Sequence, residues 1–372
     1  MELPEKVLLK IFGFLSTQEI FSKVALVCKR FNLLSKDKNL IKFWDVIFDN
    51  EYDFEYIAKV LLQTRNLRQL KIKAKTYDFI YEKQNEIRIL LQQALKNNSN
   101  IKVLDVSSIT ISRELMDTIY ECGSKIEELT ISEFTVRGRL MMKPIDNLNL
   151  LRNLSVTRLS LNGLKTISDS NLKLEKFHFQ LYIPSQPNLH LQVLPTEEEI
   201  QSILNDFFER KGHDLKDLDF KAFWPSTFSI NLQNLKYCPN LTKLGVSYMN
   251  FEDYGVFSNI KSLKELHLGS FDQSEQFCHN LFSTLNLGSL VNLSIPLSQE
   301  GIVKIIELGG LPNLETFSSY SEMEIEEKEF LTLVQHCPKL KKLSLYAIAK
   351  NLKKVSIQYL YQMKDKLHSE HF

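Results

Sequence analysis

From Leu67 almost to its end, the chain repeats an apolar hexad, Leu-x-x-Leu-x-Leu or a close variant, mostly at intervals of about 22 to 27 residues. The hexads begin at Leu67, Ile101, Ile126, Leu151, Leu174, Leu215, Leu241, Leu263, Leu290, Leu314 and Leu340. Alternation over the last three positions of each, as in Leu154-Ser155-Val156, predicts a short strand with one buried face. The return distance leaves room for one helix between strands. The filler agrees: Ile87, Leu90, Leu91, Ala94 and Leu95 fall on one helical stripe, and Ile302, Ile305 and Ile306 make a shorter one. A strand-plus-helix unit cannot bury its own apolar side, so neighbours must stack. The expected fold is mixed α/β, a curved solenoid of about eleven units with a parallel inner sheet and outer helices. A leucine-rich α/β domain without repeats is the alternative that eleven matches in register disfavour.

The segment ahead of the repeats has a different texture. Val7, Leu8, Ile11, Phe12 and Leu15 fall on one helical face that begins just after Pro4. A second helix is expected from Thr17 or Gln18 to Asn32, then a turn over 35–37, then an apolar group of Leu40, Ile41 and Trp44. Three helices in so short a span make a thin core. Such a module either exposes an apolar patch to a partner or is capped by the first repeat, and periodicity alone leaves both open.

Acids and bases nearly cancel, 45 against 46, so no strong field for nucleic acid is implied. The five cysteines are widely separated and lack any CxxC pair, which suggests neither a disulfide framework nor a zinc site. Glu5, Lys6 and Lys10 interrupt the first apolar stretch, so neither a signal peptide nor a membrane span is expected there. The expectation is a reduced, soluble, intracellular protein, cytoplasmic, nuclear or both.

Two resemblances sharpen this. Cys238-Pro239-Asn240-Leu241 and Cys337-Pro338-Lys339-Leu340, with Gly310-Leu311-Pro312-Asn313-Leu314 in the same outline, resemble the cysteine-containing class of leucine-rich repeats. In these the proline ends the helix and steers the chain into the strand, and the cysteine acts as a small buried hydrophobe. The run Leu3-Pro4, Val7-Leu8, Ile11-Phe12, Leu15-Ser16, Ile20, Val24 and Val27-Cys28-Lys29-Arg30-Phe31 resembles the F-box motif without gaps. It departs from that motif at Phe31 and Ile41, where tryptophan is common, and Trp44 follows one turn later. The resemblance implies an F-box at residues 1–45, a helical linker or cap at 46–66, repeats at 67–351 and a C-terminal cap at 352–372. It also implies docking on the Skp-family adaptor of a cullin-RING ubiquitin ligase through Leu3, Pro4, Leu8, Ile11, Phe12, Leu15 and Val27. Cys28, Phe31, Leu34 and Leu40 would hold the helices together.

In such a fold the residues between the last two apolar positions of each hexad face outward: Lys71, Asp105, Thr130, Ser155 and His178, then Asp219, Gly245, His267, Ser294, Ser318 and Ser344. The row is mostly small and uncharged and lacks an arginine cluster for phosphorylated motifs. Aromatics follow the later strands: Phe223, Trp224, Tyr248, Phe251, Phe271, Tyr320 and Tyr346. They form either a binding rim for a protein substrate or filler between strand and helix. An insertion near 181–199 precedes a helix opened by the capping-box pair Thr196 and Glu199, and is either a binding loop or a degenerate repeat.

No HExxH, GxSxG, P-loop or GxGxxG element is present, so no catalytic residue, metal or cofactor is expected. The leading expectation is a substrate-recognition adaptor of an SCF-type ubiquitin ligase. The rivals are a repeat scaffold not coupled to cullin and a small-ligand receptor, whose converging basic residues are not evident.

Overall fold

The computed structural model describes residues 3–12, 14–15, 19–35, 37, 43–48, 51–74, 77–134, 144–182, 195–223, 233–247, 254–269, 275–296, 299–319 and 332–345. The chain divides into two compact units, Met1–Ile183 and Pro184–Phe372.

In the first unit, six parallel strands pair in sequence order: β1 (Phe43–Phe48), β2 (Gln69–Ala74), β3 (Val103–Val106), β4 (Glu128–Phe134), β5 (Asn153–Leu159) and β6 (Lys176–Tyr182). The hexads stand in register, so that Leu70, Leu104, Leu129, Leu154 and Phe177 form one column across β2 to β6. Each is 3% exposed or less. Because side chains alternate faces, a slip of one residue would turn the whole column toward solvent. A backbone seam fixes the register, with one carbonyl accepting from two successive amides of the next repeat. Arg68 O accepts from Lys102 and Val103, Lys102 O from Glu127 and Glu128, Glu127 O from Arg152 and Asn153, and Arg152 O from Glu175 and Lys176.

Strand β1 is an element the hexad pattern does not announce. Trp44, expected beyond a turn on a third helix, lies in β1 opposite Leu70. The strand supplies the ladder that the edge of β2 would otherwise leave unpaired.

The second unit repeats the scheme with β7 (Asp217–Phe223), β8 (Lys243–Ser247), β9 (Glu265–Gly269), β10 (Asn292–Ile295), β11 (Thr316–Ser319) and β12 (Lys342–Leu345), again parallel and in order. Its column is Leu218, Leu244, Leu266, Leu293, Phe317 and Leu343. The same seam runs from Lys216 O through Thr242, Lys264, Val291 and Glu315 to the amides of Lys341 and Lys342.

Both predicted helical stripes form. Ile87, Leu90, Leu91, Ala94 and Leu95 are buried on the helix Tyr77–Asn97, and Ile302 and Ile305 on Gln299–Glu307. The expectation of one α-helix per connection is too uniform, because the described part of three connections carries a 3-10 helix and no α-helix: Pro144–Asn147, Gln233–Tyr237 and Tyr254–Asn259. A 3-10 turn rises about 2 Å per residue and so covers its distance with fewer residues.

The Cys-Pro elements behave as packing units. Cys238 and Cys337 are buried, and burial pushes their thiols up to about 12 and about 11. After the prolines Pro239 and Pro312, Asn240 Nδ2 donates to His213 O at 2.9 Å and Asn313 Nδ2 to Gly288 O at 2.7 Å, tying each of these repeats to the one before. Gly310 has φ +82°, and a Cβ there would lie 2.3 Å from His336 O, so only glycine fits this turn. The insertion starts later than the pattern suggests: Leu181 and Tyr182 belong to β6, and Leu181 is fully buried. Residues 183–194 and the expected cap at 352–372 lie outside the described residues. Thr196 and Glu199 form the predicted capping box on the helix Glu197–Lys211.

Candidate interaction surfaces

At the N-terminus, Pro4 O accepts from Val7 and Leu8 at 3.0 and 3.1 Å, opening the helix Glu5–Phe12. Its broad apolar face divides into two i, i+4 pairs. Leu8 and Phe12 turn inward to a small core with Val24, against which Leu15, Phe31 and Leu34 pack, and the rings of Phe12 and Phe31 meet edge-on at 5.1 Å. Val7 and Ile11 turn outward.

The second helix ends earlier than expected. Helical turns Ile20–Val24 and Ala25–Val27 stop at Cys28, which is extended at φ −162° and ψ 168°, and a separate helix runs Lys29–Ser35. Local bonds account for the break. The amide of Phe31 donates to Cys28 Sγ at 3.4 Å, and Asn32 Nδ2 donates to Ala25 O at 3.1 Å, satisfying backbone that a continuous helix would have paired. The three helical segments therefore lie within 5–35, before the turn where the third was expected. Arg30 Nη2 donates to Leu3 O at 2.8 Å and ties the chain's entry to the last of them.

Of the sequence-derived adaptor contacts, Leu3, Pro4, Ile11 and Val27 are exposed, Leu15 is half-buried, and Leu8 and Phe12 lie in the domain's own core. The last two hold the helix that presents Ile11. Cys28 is exposed, Phe31 and Leu34 support the core as expected, and Leu40 lies outside the described residues. Three further apolar residues, Phe14, Leu26 and Leu33, are exposed, and sequence reasoning passed over them because they sit off the periodic stripe. Together with Leu3, Val7, Ile11 and Val27 they make seven large apolar side chains, between 41% (Val7) and 83% (Phe14) exposed, within a few helical turns.

On the repeats, the row predicted to face outward does so at Lys71, Asp105, Thr130, Ser155 and His178 in the first unit and at Asp219, His267, Ser318 and Ser344 in the second. Gly245 and Ser294 are buried instead. At Gly245 the neighbour is the reason, since a Cβ there would lie 2.8 Å from Asp219 Oδ1. The exposed charges are largely held within the sheet: Glu265 stands 3.6 Å from Lys243 and 3.8 Å from His267, and Asp219 stands 3.7 Å from Lys221. Asn153 Nδ2 donates to Glu128 at 3.0 Å. Of the seven rim aromatics, Phe223 ends β7 with its side chain outside the described residues, and Trp224, Tyr248, Phe251, Phe271, Tyr320 and Tyr346 lie wholly outside them. An aromatic the pattern did not single out is placed: Tyr182, at the end of β6, lies under the Arg158 guanidinium at 4.3 Å.

Among the described residues no group of three or more His, Cys, Asp or Glu is positioned to hold a metal ion. No described helix is long and apolar enough to cross a membrane.

Residues 1–43 match the F-box-like family. None of the curated proteins matches the chain. Among solved structures, the yeast Rad7 and Elc1 complex is similar at 14% identity, covering 93% of this chain and 88% of that one with a TM-score of 0.51, a likeness of fold alone. An internalin of Listeria monocytogenes (16% identity, 88% and 93% covered, TM-score 0.40) and a leucine-rich-repeat protein of Leptospira interrogans (16%, 76% and 68%, 0.36) also match. Residues 1–43 are thus an F-box-like domain, and the in-register strands that follow have the architecture of leucine-rich repeats.

Proposed function

We propose that this protein is the substrate-recognition adaptor of an SCF-type ubiquitin ligase, non-catalytic itself, working in the cytoplasm, the nucleus or both. The F-box-like domain docks a Skp-family adaptor bound to cullin, and the repeats hold a protein substrate near the ubiquitin-loaded enzyme, raising its effective concentration. The observation that carries this reading is the exposure of Leu3, Val7, Ile11, Phe14, Leu26, Val27 and Leu33, seven large apolar side chains on a module whose buried apolar residues are Leu8, Phe12, Ile20, Val24 and Ala25. Full burial of one such side chain is worth about 1.5 to 3 kcal/mol, so a few anchors suffice for a stable complex.

The test is co-purification of the full chain with Skp adaptor and cullin, compared with Leu3→Ala/Pro4→Ala and Ile11→Asp. Recovery of both partners by the native chain, and of neither by the variants with their repeats still folded, supports the reading. Recovery of the adaptor without cullin favours a scaffold role, and failure of the native chain to recover the adaptor removes the reading.

A further inference from the structure

The apolar surface of the F-box-like domain is bordered by positive charge. Residues 3–35 hold five bases and two acids, in a chain whose 46 bases and 45 acids otherwise balance. Two of the five bases have internal work: Lys23 faces Glu19 at 3.8 Å, and Arg30 is bonded to Leu3 O. The other three, Lys6, Lys10 and Lys29, are exposed and sit beside the exposed apolar residues. Lys6 and Lys10 stand one turn apart on Glu5–Phe12, each immediately before an outward residue, Val7 and Ile11. Lys29 begins the last helical segment two residues after Val27. Glu5 and Glu19 are the acids of this stretch, the first at the helix start and the second opposite Lys23.

Resting on the function proposed above, we infer that Lys6, Lys10 and Lys29 form an electrostatic rim that selects an adaptor whose apolar contact surface is edged by carboxylates. The rim acts chiefly on encounter. Exposed charges across an interface contribute little to final affinity but steer association, and salt screens them over about 10 Å at 0.1 M. The apolar residues at the centre set how long the complex lasts.

The test measures association and dissociation rates of the full chain with a purified Skp-family adaptor between 50 mM and 500 mM NaCl. The expected result is an association rate that falls several-fold as salt rises, with the dissociation rate nearly constant. Lys6→Glu/Lys10→Glu/Lys29→Glu should slow association about tenfold at low salt, and the matching triple arginine variant should keep the native rate. Adaptor binding whose rate ignores both salt and the glutamate substitutions overturns the rim and leaves the ligase reading standing. Where the glutamate variant misfolds, the native salt dependence alone decides. Failure of the native chain to bind the adaptor overturns both. Charge-dependent binding to phosphatidylserine vesicles, or self-association abolished by Ile11→Asp, in place of adaptor binding would assign the surface to another occupant and overturn the inference.

Discussion

The F-box-like domain and the repeats use the same aliphatic residues to opposite ends. In the repeats nearly every hexad side chain is covered, because the next strand lays an equivalent residue beside it in register. In the F-box-like domain, Leu8, Phe12 and Val24 are buried, while Val7 and Ile11, one residue away from Leu8 and Phe12, stay in water. A solenoid supplies each unit with neighbours, and a lone helical module does not. Apolar residues in the first are core, and in the second they are divided between core and exposed surface.

Core truncation tests the contrast most severely. Phe177→Ala removes a fully buried ring from the leucine column and is expected to cost about 3 to 5 kcal/mol in denaturant unfolding of the full chain. Ile11→Asp is its counterpart: it should leave the unfolding midpoint within error of the native value and weaken binding to the Skp adaptor by about 100-fold, read by calorimetry. Equal effects of the two substitutions on stability would erase the distinction between core and exposed surface.

Three smaller effects sharpen the account of the repeats. Burial raises the Cys238 thiol from 9.0 to about 12, so the folded state keeps its proton where the unfolded chain loses it. Stability from this group is fully present below pH 9 and is lost as pH rises toward 12, which amounts to about 1 kcal/mol by pH 10. Cys238→Ala should flatten this part of the pH profile relative to the native protein. Thr196→Ala should cost about 1 kcal/mol by removing the capping box of Glu197–Lys211, and Thr196→Ser should restore most of it. The exposed pair of Lys102 and Glu127, which bridges neighbouring repeats, should prove smallest, with Glu127→Ala changing stability by less than about 1 kcal/mol and by less still in high salt.

Much of the repeat architecture was legible because a strand's period of two and a fixed return distance are local signals. The hexad column, the stripe of Ile87 to Leu95 and the cap at Thr196 followed from spacing, and the buried cysteines from the resemblance of the Cys-Pro elements to cysteine-containing repeats. Strand β1 did not, because Phe43–Phe48 lacks the hexad and becomes a strand by pairing with β2. The break at Cys28 escaped the same reasoning. Nothing in the apolar spacing interrupts the helix there, and the stop is made by Asn32 reaching back to Ala25. The exposed surface was anticipated in kind, and its membership shifted as Leu8 and Phe12 turned inward and Phe14, Leu26 and Leu33 stood in solvent.

The sequence by itself determined that the chain would be a repeat protein preceded by a short helical module, since periodicity dictates which side chains share a face. It also determined which face of each strand is buried, since a slip of one residue would turn every hexad toward solvent. Only the tertiary structure decided which of two adjacent apolar pairs on the first helix turned inward. A helix stripe wider than its core has two ways to face, and the choice rests on the packing of Phe31 and Leu34 from farther along the chain.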